Sequence, residues 1–213
     1  MTIHVFLADD HAILREGLHL ILDTQPDIEI VGEATNGRDA LNQVRSLEPD
    51  VVVMDIAMPE LNGIETTRHI REANPSTQIV ILSMHSTSEH VFRALRAGAL
   101  GYVLKESVGG ELVDAIRAAY AGRCYLCEKL NGMMPVESPS TQMKSPLESL
   151  SAREREVLQL TVEGKSGVEI AAILSLSKKS VATYRSRLAR KLGVHDLPAL
   201  IKFAIEHGLT RPN

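Results

Sequence analysis

The sequence predicts two domains: an α/β domain built on a doubly wound, five-stranded parallel sheet, and a smaller all-α domain. Five short apolar runs alternate with segments of helical periodicity in the first half, and no such run recurs after residue 146. Residues 1–127 hold ten Lys and Arg against eighteen Asp and Glu, whereas residues 146–213 hold eleven against seven. With 213 residues, 44% of them hydrophobic, the chain is long enough for two cores.

The apolar runs of the first half are predicted strands. They are Ile3–Ala8, Ile28–Glu33, Val51–Met54, Ile79–Leu82 and Leu100–Leu104. The third run has no polar alternation, which is typical of a strand buried on both faces of a parallel sheet. A segment of helical period follows each strand, so helices are expected on both sides of this sheet.

The second half of the chain is predicted to contain only helices. Residues 123–147 become rich in Pro, Ser and small polar residues, which indicates a linker. Beyond it, Ser151 and Ser166 each stand three residues before a glutamate, the pattern of a capping box that begins a helix. The expected helices are 152–163, 167–174, 178–192 and 196–207.

Composition excludes several other classes of protein. No stretch approaches the roughly 18 apolar residues that a membrane helix needs, and no secretory signal is visible at the start of the chain. We therefore expect a cytoplasmic protein without a membrane partner. Cys124 and Cys127 form a lone CxxC without a second pair, so it is interpreted as incidental rather than as a zinc or redox site.

Polar side chains stand at the ends of four predicted strands. Asp9 and Asp10 end the first, Asp55 the third, Ser83 the fourth and Lys105 the fifth. The carboxyl ends of parallel strands meet at one edge of the sheet. Three carboxylates there repel one another unless a cation intervenes, and their oxygens suit Mg²⁺. Asp55 is the candidate nucleophile toward a phosphoryl group.

Each of these residues also has a simpler interpretation. Asp10 could cap the following helix, Ser83 could be a turn residue, and Lys105 could be a solvated loop lysine. Their joint position at the strand ends favours a functional site. A Mg²⁺-dependent phosphohydrolase is a rival hypothesis, but such enzymes usually carry a second aspartate two residues past the nucleophile, where this chain has Ala57.

The predicted helix 178–192 has a basic outward face. Between residues 178 and 191 there are six basic residues and no acidic one. Small and hydroxyl side chains fringed by cations fit a DNA major groove, although a solvated basic face is the simpler alternative. The candidate DNA-binding residues are Lys178, Lys179, Ser180, Ala182, Thr183, Ser186, Arg187 and Arg190.

Residues 1–122 resemble the receiver domain of bacterial two-component response regulators, which is flavodoxin-like. The matching motifs are Ala8-Asp9-Asp10-His11, Arg15-Glu16-Gly17-Leu18, the stretch from Met54 to Gly63, Ser83, and Gly101-Tyr102-Val103-Leu104-Lys105. The resemblance implies that Asp55 accepts a phosphoryl group from a sensor histidine kinase or a small phosphodonor.

The same resemblance implies roles for the residues around Asp55. Asp10, Asp55 and the backbone carbonyl of Ala57 would bind Mg²⁺, with Asp9 assisting through water. Ser83 would hydrogen-bond the phosphoryl group and Lys105 would pair with it. Tyr102 matches the aromatic that swings inward when the hydroxyl residue moves, although an ordinary tyrosine at the core edge is an equal alternative.

Residues 148–211 resemble the LuxR-type helix-turn-helix DNA-binding domain, which implies a helix-turn-helix over residues 166–185. The motifs are Leu150 to Leu158, Gly164-Lys165-Ser166, Glu169-Ile170-Ala171, Leu174, Ser177, Ser180-Val181 and Lys191-Leu192-Gly193-Val194. With the receiver, they resemble the NarL/FixJ subfamily of transcription factors. Base contacts carry over to Ala182, Thr183 and Ser186. Gly167 and Val168 depart from the more usual Asn-Lys.

The last helix resembles the dimerisation helix of that family. The residues implied are Leu197, Leu200, Ile201 and Ala204, and a homodimer is expected on phosphorylation or on DNA binding. An ordinary packing helix is the alternative. A regulator that binds DNA without needing phosphorylation also remains open.

Overall fold

The structure, a computed structural model, describes residues 1–130, 145–194 and 196–210. These residues form two compact units, one up to residue 130 and one from residue 145, and each is described by itself. Most of the predicted linker, residues 131–144, lies outside the described residues, as does residue 211 of the predicted DNA-binding domain. Among the described helices, none has the length and apolar character needed to cross a membrane.

The first unit contains a parallel sheet with the strand order β2-β1-β3-β4-β5-β6. The prediction of a doubly wound parallel sheet is confirmed, and the five predicted strands agree with the structure to within one residue at each end. The strands are β1 Ile3–Ala8, β2 Ile28–Ala34, β3 Val51–Asp55, β4 Gln78–Ser83, β5 Gly101–Leu104 and β6 Tyr125–Leu126.

The sixth strand corrects both the predicted strand count and the predicted start of the linker at residue 123. Tyr125 and Leu126 pair with β5, and the N–H of Cys127 donates to the carbonyl of Tyr102 at 3.1 Å. Cys127 and Leu130 are buried in the same apolar cluster as Tyr102. The first unit therefore continues through Leu130, and Cys127 packs as a core residue.

Five helices cover the two faces of this sheet. Helices α2, α3 and α4 share an apolar core with one face, and α1 and α5 share a second core with the other. This is the two-sided packing that strands buried on both faces require. The helices are α1 Ala12–Leu22, α2 Gly37–Leu47, α3 Gly63–Ala73, α4 Ser88–Arg96 and α5 Val108–Tyr120.

The second unit has four α-helices within its described residues, as predicted. They are α6 Ala152–Val162, α7 Gly167–Ile173, α8 Lys178–Leu192 and α9 Leu197–Glu206. Both predicted capping boxes are present, Ser151 with Glu154 and Ser166 with Glu169. Because each box satisfies backbone N–H groups at a helix start, it fixes where α6 and α7 begin.

Two of the predicted dimerisation residues on α9 lie in the core of their own domain. Leu200 and Ala204 are buried against α6 and its neighbours, whereas Leu197 is exposed and Ile201 is half-buried. Because side chains in the domain's own core are not available to a second copy, the structure favours Leu197 and Ile201 over Leu200 and Ala204 among the predicted dimerisation residues.

Candidate metal-binding pocket and nucleic-acid interface

The strand ends bring the predicted charged residues together. The Nζ atom of Lys105 lies 2.6 Å from Oδ2 of Asp9 and 3.2 Å from Oδ1 of Asp55. All three side chains are buried, with exposed fractions of 6%, 2% and 3%. Asp10 lies at the half-exposed rim of the same pocket. A buried ammonium between two carboxylates lowers the repulsion that the cluster would otherwise carry.

His11 is a pocket residue that sequence reasoning missed. Its Nδ1 atom lies 3.0 Å from Oδ1 of Asp9, 3.2 Å from Oδ1 of Asp10 and 3.5 Å from Nζ of Lys105. His11 also occupies the N-cap position of α1, where Asp10 was a candidate. The available signal was its place directly after the two aspartates.

The pocket fits a hard divalent cation by its donor set. One ligand atom each from Asp9, Asp10, His11 and Asp55 lies within 4.8 Å of the others. Carboxylate oxygens dominate this set, and they are the ligands that Mg²⁺ prefers. Ala57 stands two residues beyond Asp55 in the loop that follows β3.

The position of Asp55 depends on the close approach of Gly63, the first residue of α3. The N–H of Gly63 donates to the carbonyl of Ile56 at 2.8 Å. A Cβ atom built on Gly63 would lie 1.9 Å from the backbone oxygen of Asp55. Only glycine permits this contact, so Gly63 lets the start of α3 pack directly against the backbone of Asp55.

Ser83 and Tyr102 are both tied to one residue of the loop between β4 and α4. The Oγ atom of Ser83 accepts from the N–H of His85 at 3.0 Å, and the hydroxyl of Tyr102 donates to the carbonyl of His85 at 2.7 Å. Both side chains are fully buried. Burial, followed by the negative charge of Asp55, raises the pKa of Tyr102, which keeps its hydroxyl a neutral donor.

The outward face of α8 carries the predicted DNA-binding residues. Lys178 is exposed at the start of the helix, and Ser180 bonds to the capping residue Ser177 through its N–H and hydroxyl. Val181 and Leu188 are buried and fasten the opposite face to the domain core. The exposed residues that line one shallow surface depression are Lys179, Ala182, Thr183, Ser186, Arg187 and Arg190.

Two basic residues of α8 have partners within the domain. The guanidinium of Arg185 donates to the hydroxyl of Thr161 and to the carbonyl of Lys165. The Nζ atom of Lys191 donates to Oε2 of Glu154 at 2.6 Å. Burial opposes ionisation of Glu154, but Lys191 and Ser151 prevail and hold its pKa below the usual range. The six cations of α8 thus divide into two that bind inward and four that face outward.

Comparison with known proteins assigns both units. Residues 5–117 match the family model for the response regulator receiver domain, and residues 148–204 match bacterial regulatory proteins of the luxR family. The chain is 37% identical to the uncharacterized transcriptional regulatory protein YxjL of Bacillus subtilis, with 98% of each chain covered. It is 36% identical to the response regulator UvrY of Escherichia coli, covering 97% of this chain and 95% of UvrY.

A solved structure extends the comparison to a DNA complex. The response regulator RcsB in complex with DNA aligns with a TM-score of 0.59 and 26% identity, covering 97% of this chain and 99% of RcsB. The family models and the two relatives cover both units of the chain. The chain therefore belongs to the response regulators of the NarL/FixJ type, which join a receiver domain to a LuxR-type DNA-binding domain.

Proposed function

We propose that Asp55 accepts a phosphoryl group, from a sensor histidine kinase or a small phosphodonor, and that its phosphorylation controls DNA binding by α8. The contact between Lys105 and the carboxylates of Asp9 and Asp55 carries this proposal. This contact puts one ammonium beside the buried carboxylate of Asp55 in an acidic pocket, where an incoming anion needs a cation.

The transfer itself is a displacement at phosphorus. An oxygen of the Asp55 carboxylate forms a new P–O bond while the bond from phosphorus to the donor nitrogen or oxygen breaks, and the donor leaves with that electron pair. Lys105 then pairs with a phosphoryl oxygen. Asp10, Asp55 and the backbone carbonyl of Ala57 would hold Mg²⁺, with Asp9 acting through water. The ion would supply charge neutralisation on the phosphoryl oxygens.

The bound phosphoryl group is expected to act through Ser83. Its oxygens compete for the Ser83 hydroxyl, whose Oγ atom accepts from the N–H of His85 in the present structure. His85 also accepts from Tyr102, so a change at Ser83 reaches the tyrosine through one residue. The surface formed by α4, β5 and α5 would change as a result.

We expect the cations of α8 and its short side chains to contact different parts of the DNA. Lys178, Lys179, Arg187 and Arg190 would contact phosphates; the bases would be read by Ala182, Thr183 and Ser186, with Ser180 supporting the helix start. Two RcsB dimers are described bound to DNA. By analogy we propose a homodimer that uses Leu197 and Ile201 and works in the cytoplasm. The only catalysis that we propose for this protein is the phosphorylation and dephosphorylation of its own Asp55.

Phosphoryl uptake by the full chain tests the assignment of Asp55. In Asp55→Asn, Mg²⁺-dependent incorporation of acid-labile phosphate from an acyl-phosphate donor should fall to background, because an amide is a poor nucleophile. Asp114→Asn, at an exposed site on α5, is the matched control and should label normally. Normal labelling of Asp55→Asn would refute the assignment. Turnover of phosphate esters would support the phosphohydrolase instead.

DNA affinity measured with and without a phosphoryl mimic tests the coupling. A higher or lower affinity in the presence of the mimic, absent from Asp55→Asn, is expected. Equal affinity would favour the alternative, a regulator whose DNA binding does not need phosphorylation.

A further inference from the structure

We propose that Arg185 is a positioning residue for DNA recognition: it fixes α8 against α6 and the turn that leads to α7, and it does not bind a DNA phosphate. This inference rests on the proposed role of α8 at the DNA. Counted by charge alone, Arg185 belongs with the other cations of that helix. Its hydrogen bonds, however, are made to residues of its own domain.

The contacts of Arg185 point away from the outward face. Its Nε donates to Oγ1 of Thr161 at 3.1 Å, and its Nη2 donates to the carbonyl of Lys165 at 3.0 Å. Thr161 in turn donates its own hydrogen to the carbonyl of Val157 at 2.7 Å, which leaves its oxygen free to accept. We call these three residues, Arg185, Thr161 and Lys165, the arginine clasp.

The arginine clasp connects α8 to the end of α6 and to the segment between α6 and α7, which together set the orientation of α8 in the domain. Thr161 lies in the last turn of α6, and Lys165 lies in the connection to α7. A Cβ atom built on Gly167, the first residue of α7, would lie 4.0 Å from Nη1 of Arg185. Because a guanidinium is planar and presents its N–H groups in a fixed fork, two bonds on it restrict both rotation and tilt of the helix.

Accurate placement matters because the candidate base-reading side chains are short. Ala182, Thr183 and Ser186 have little or no reach of their own, so they cannot correct a tilt of the helix by changing rotamer. Arg187 and Arg190 are long and exposed, and they can follow a phosphate through a small displacement. Loss of the clasp should therefore damage sequence discrimination more than general affinity for DNA.

Arg187 is the matched control because it has the same residue type on the same helix, two positions away, and is exposed. The experiment measures binding of the full chain to two duplexes over a range of salt concentrations. One duplex is recovered by the wild-type protein from a randomised pool, and the other has the same bases in shuffled order.

For Arg185→Lys, which keeps the charge and loses the fork, affinity for the recovered duplex should fall about tenfold, the effect expected from two weakened hydrogen bonds. Affinity for the shuffled duplex should change by less than about threefold, with an unaltered dependence on salt. Arg187→Met should weaken binding to both duplexes and reduce the salt slope by about one.

Thr161→Val gives an independent test because it changes no charge and lies on α6. It should reproduce the selective loss seen with Arg185→Lys, and the double variant should lose little more than either single variant. Thermal unfolding of each variant shows whether the domain remains folded. Thr161→Val keeps the test valid if Arg185→Lys does not fold.

The opposite pattern would overturn the inference. Wild-type discrimination in Thr161→Val, together with a reduced salt slope in Arg185→Met, would make Arg185 a phosphate contact. If Arg187→Met and Lys179→Met bound both duplexes as the wild type does, the interface on α8 would itself be wrong, and the clasp would lose its basis.

Discussion

The two domains use their cations in opposite ways. In the receiver domain, Lys105 is enclosed by Asp9 and Asp55, and its side chain is 6% exposed. In the DNA-binding domain, Lys179 and Arg187 are exposed on the outer face of α8. The first arrangement holds the charge against buried carboxylates of the same domain, whereas the second leaves the charge exposed on the surface to another macromolecule.

This difference has an energetic cause. Removing one partner of a buried ion pair leaves the other charge without compensation, which is strongly unfavourable. An exposed cation is hydrated in the free protein, so its loss changes folding little. Its contribution appears when a polyanion arrives and releases counterions. Folding stability and DNA affinity should therefore separate cleanly between variants of the two domains.

The largest expected effect comes from removing the enclosed cation. Without Mg²⁺, Lys105→Met should destabilise the receiver domain by about 3–5 kcal/mol, since Asp9 and Asp55 would remain buried after losing their ammonium partner. Adding Mg²⁺ should restore part of this loss. The exposed counterpart, Lys179→Met, should change stability by less than about 0.5 kcal/mol and weaken DNA binding. Urea unfolding of the full chain, with and without Mg²⁺, measures the free energy of unfolding of both variants. Equal losses of stability in Lys105→Met and Lys179→Met would contradict the comparison.

The next largest effect tests whether the pocket depends on backbone approach as well as charge. In Gly63→Ala the new methyl group would meet the backbone oxygen of Asp55, 1.9 Å away. Relief of this overlap should cost about 3 kcal/mol and displace the nucleophile, lowering phosphoryl uptake. Gly109→Ala in α5, where a Cβ meets nothing within 4 Å, should be neutral or stabilising. Thermal unfolding that ranks the two variants the other way would contradict this account.

Much of the receiver pocket could be predicted because strand ends in a parallel sheet have a fixed geometry. Apolar runs located β1, β3, β4 and β5, and the edge they share then brought Asp9, Asp55 and Lys105 together. The starts of α6 and α7 in the second domain could also be predicted, because a capping box depends only on residues that are close in the sequence. These features depend on neighbours in the sequence or on one rule of topology.

The remaining features depend on contacts between distant residues. Strand β6 has two residues, too few for periodicity, and it exists because β5 offers an open edge. The period of α9 could not show that Leu200 faces the domain core while Leu197 faces outward. Nor could charge show that Arg185 turns inward, because that depends on Thr161 and Lys165 on other segments.

A smaller effect concerns the enclosed ion pair of the second domain. Glu154 is 3% exposed and binds Lys191, and its pKa lies below the ordinary value of 4.5. A carboxyl with a lowered pKa in the folded state stabilises the fold above its ordinary pKa, and this contribution disappears as the pH falls through the folded value. Glu154→Gln should therefore cost about 1 kcal/mol at neutral pH and progressively less below about pH 4.5.

The matched control for that pH dependence is Glu206→Gln. Glu206 is exposed and pairs with Lys202 at 3.8 Å, so its removal should cost about 0.3–0.5 kcal/mol at most. Thermal unfolding from pH 7 to pH 3 compares the variants. A constant difference between Glu154→Gln and the wild type across this range would contradict an ionic role for Glu154.

The smallest effect lies where the receiver domain ends. The hydroxyl of Tyr125 in β6 donates to Glu111 of α5 at 3.3 Å, and burial together with the charge of Glu111 raises the pKa of Tyr125 to about 12. Because water can replace this partly exposed bond, Tyr125→Phe should cost only about 0.5 kcal/mol. In a Cys124→Ser background, alkylation of the buried Cys127 should accelerate about twofold, because β6 opens more often.

Tyr120→Phe is the control, since Tyr120 is exposed near the end of α5 and should leave alkylation of Cys127 unchanged. Phosphoryl uptake should be normal in both variants, because Lys105 keeps its contacts with Asp9 and Asp55. If Tyr125→Phe instead lost uptake, then the edge strand would be part of the pocket's support. The contacts of Lys105 would then depend on the hydrogen bond between Tyr125 and Glu111, and the pocket would not be independent of the edge of the domain.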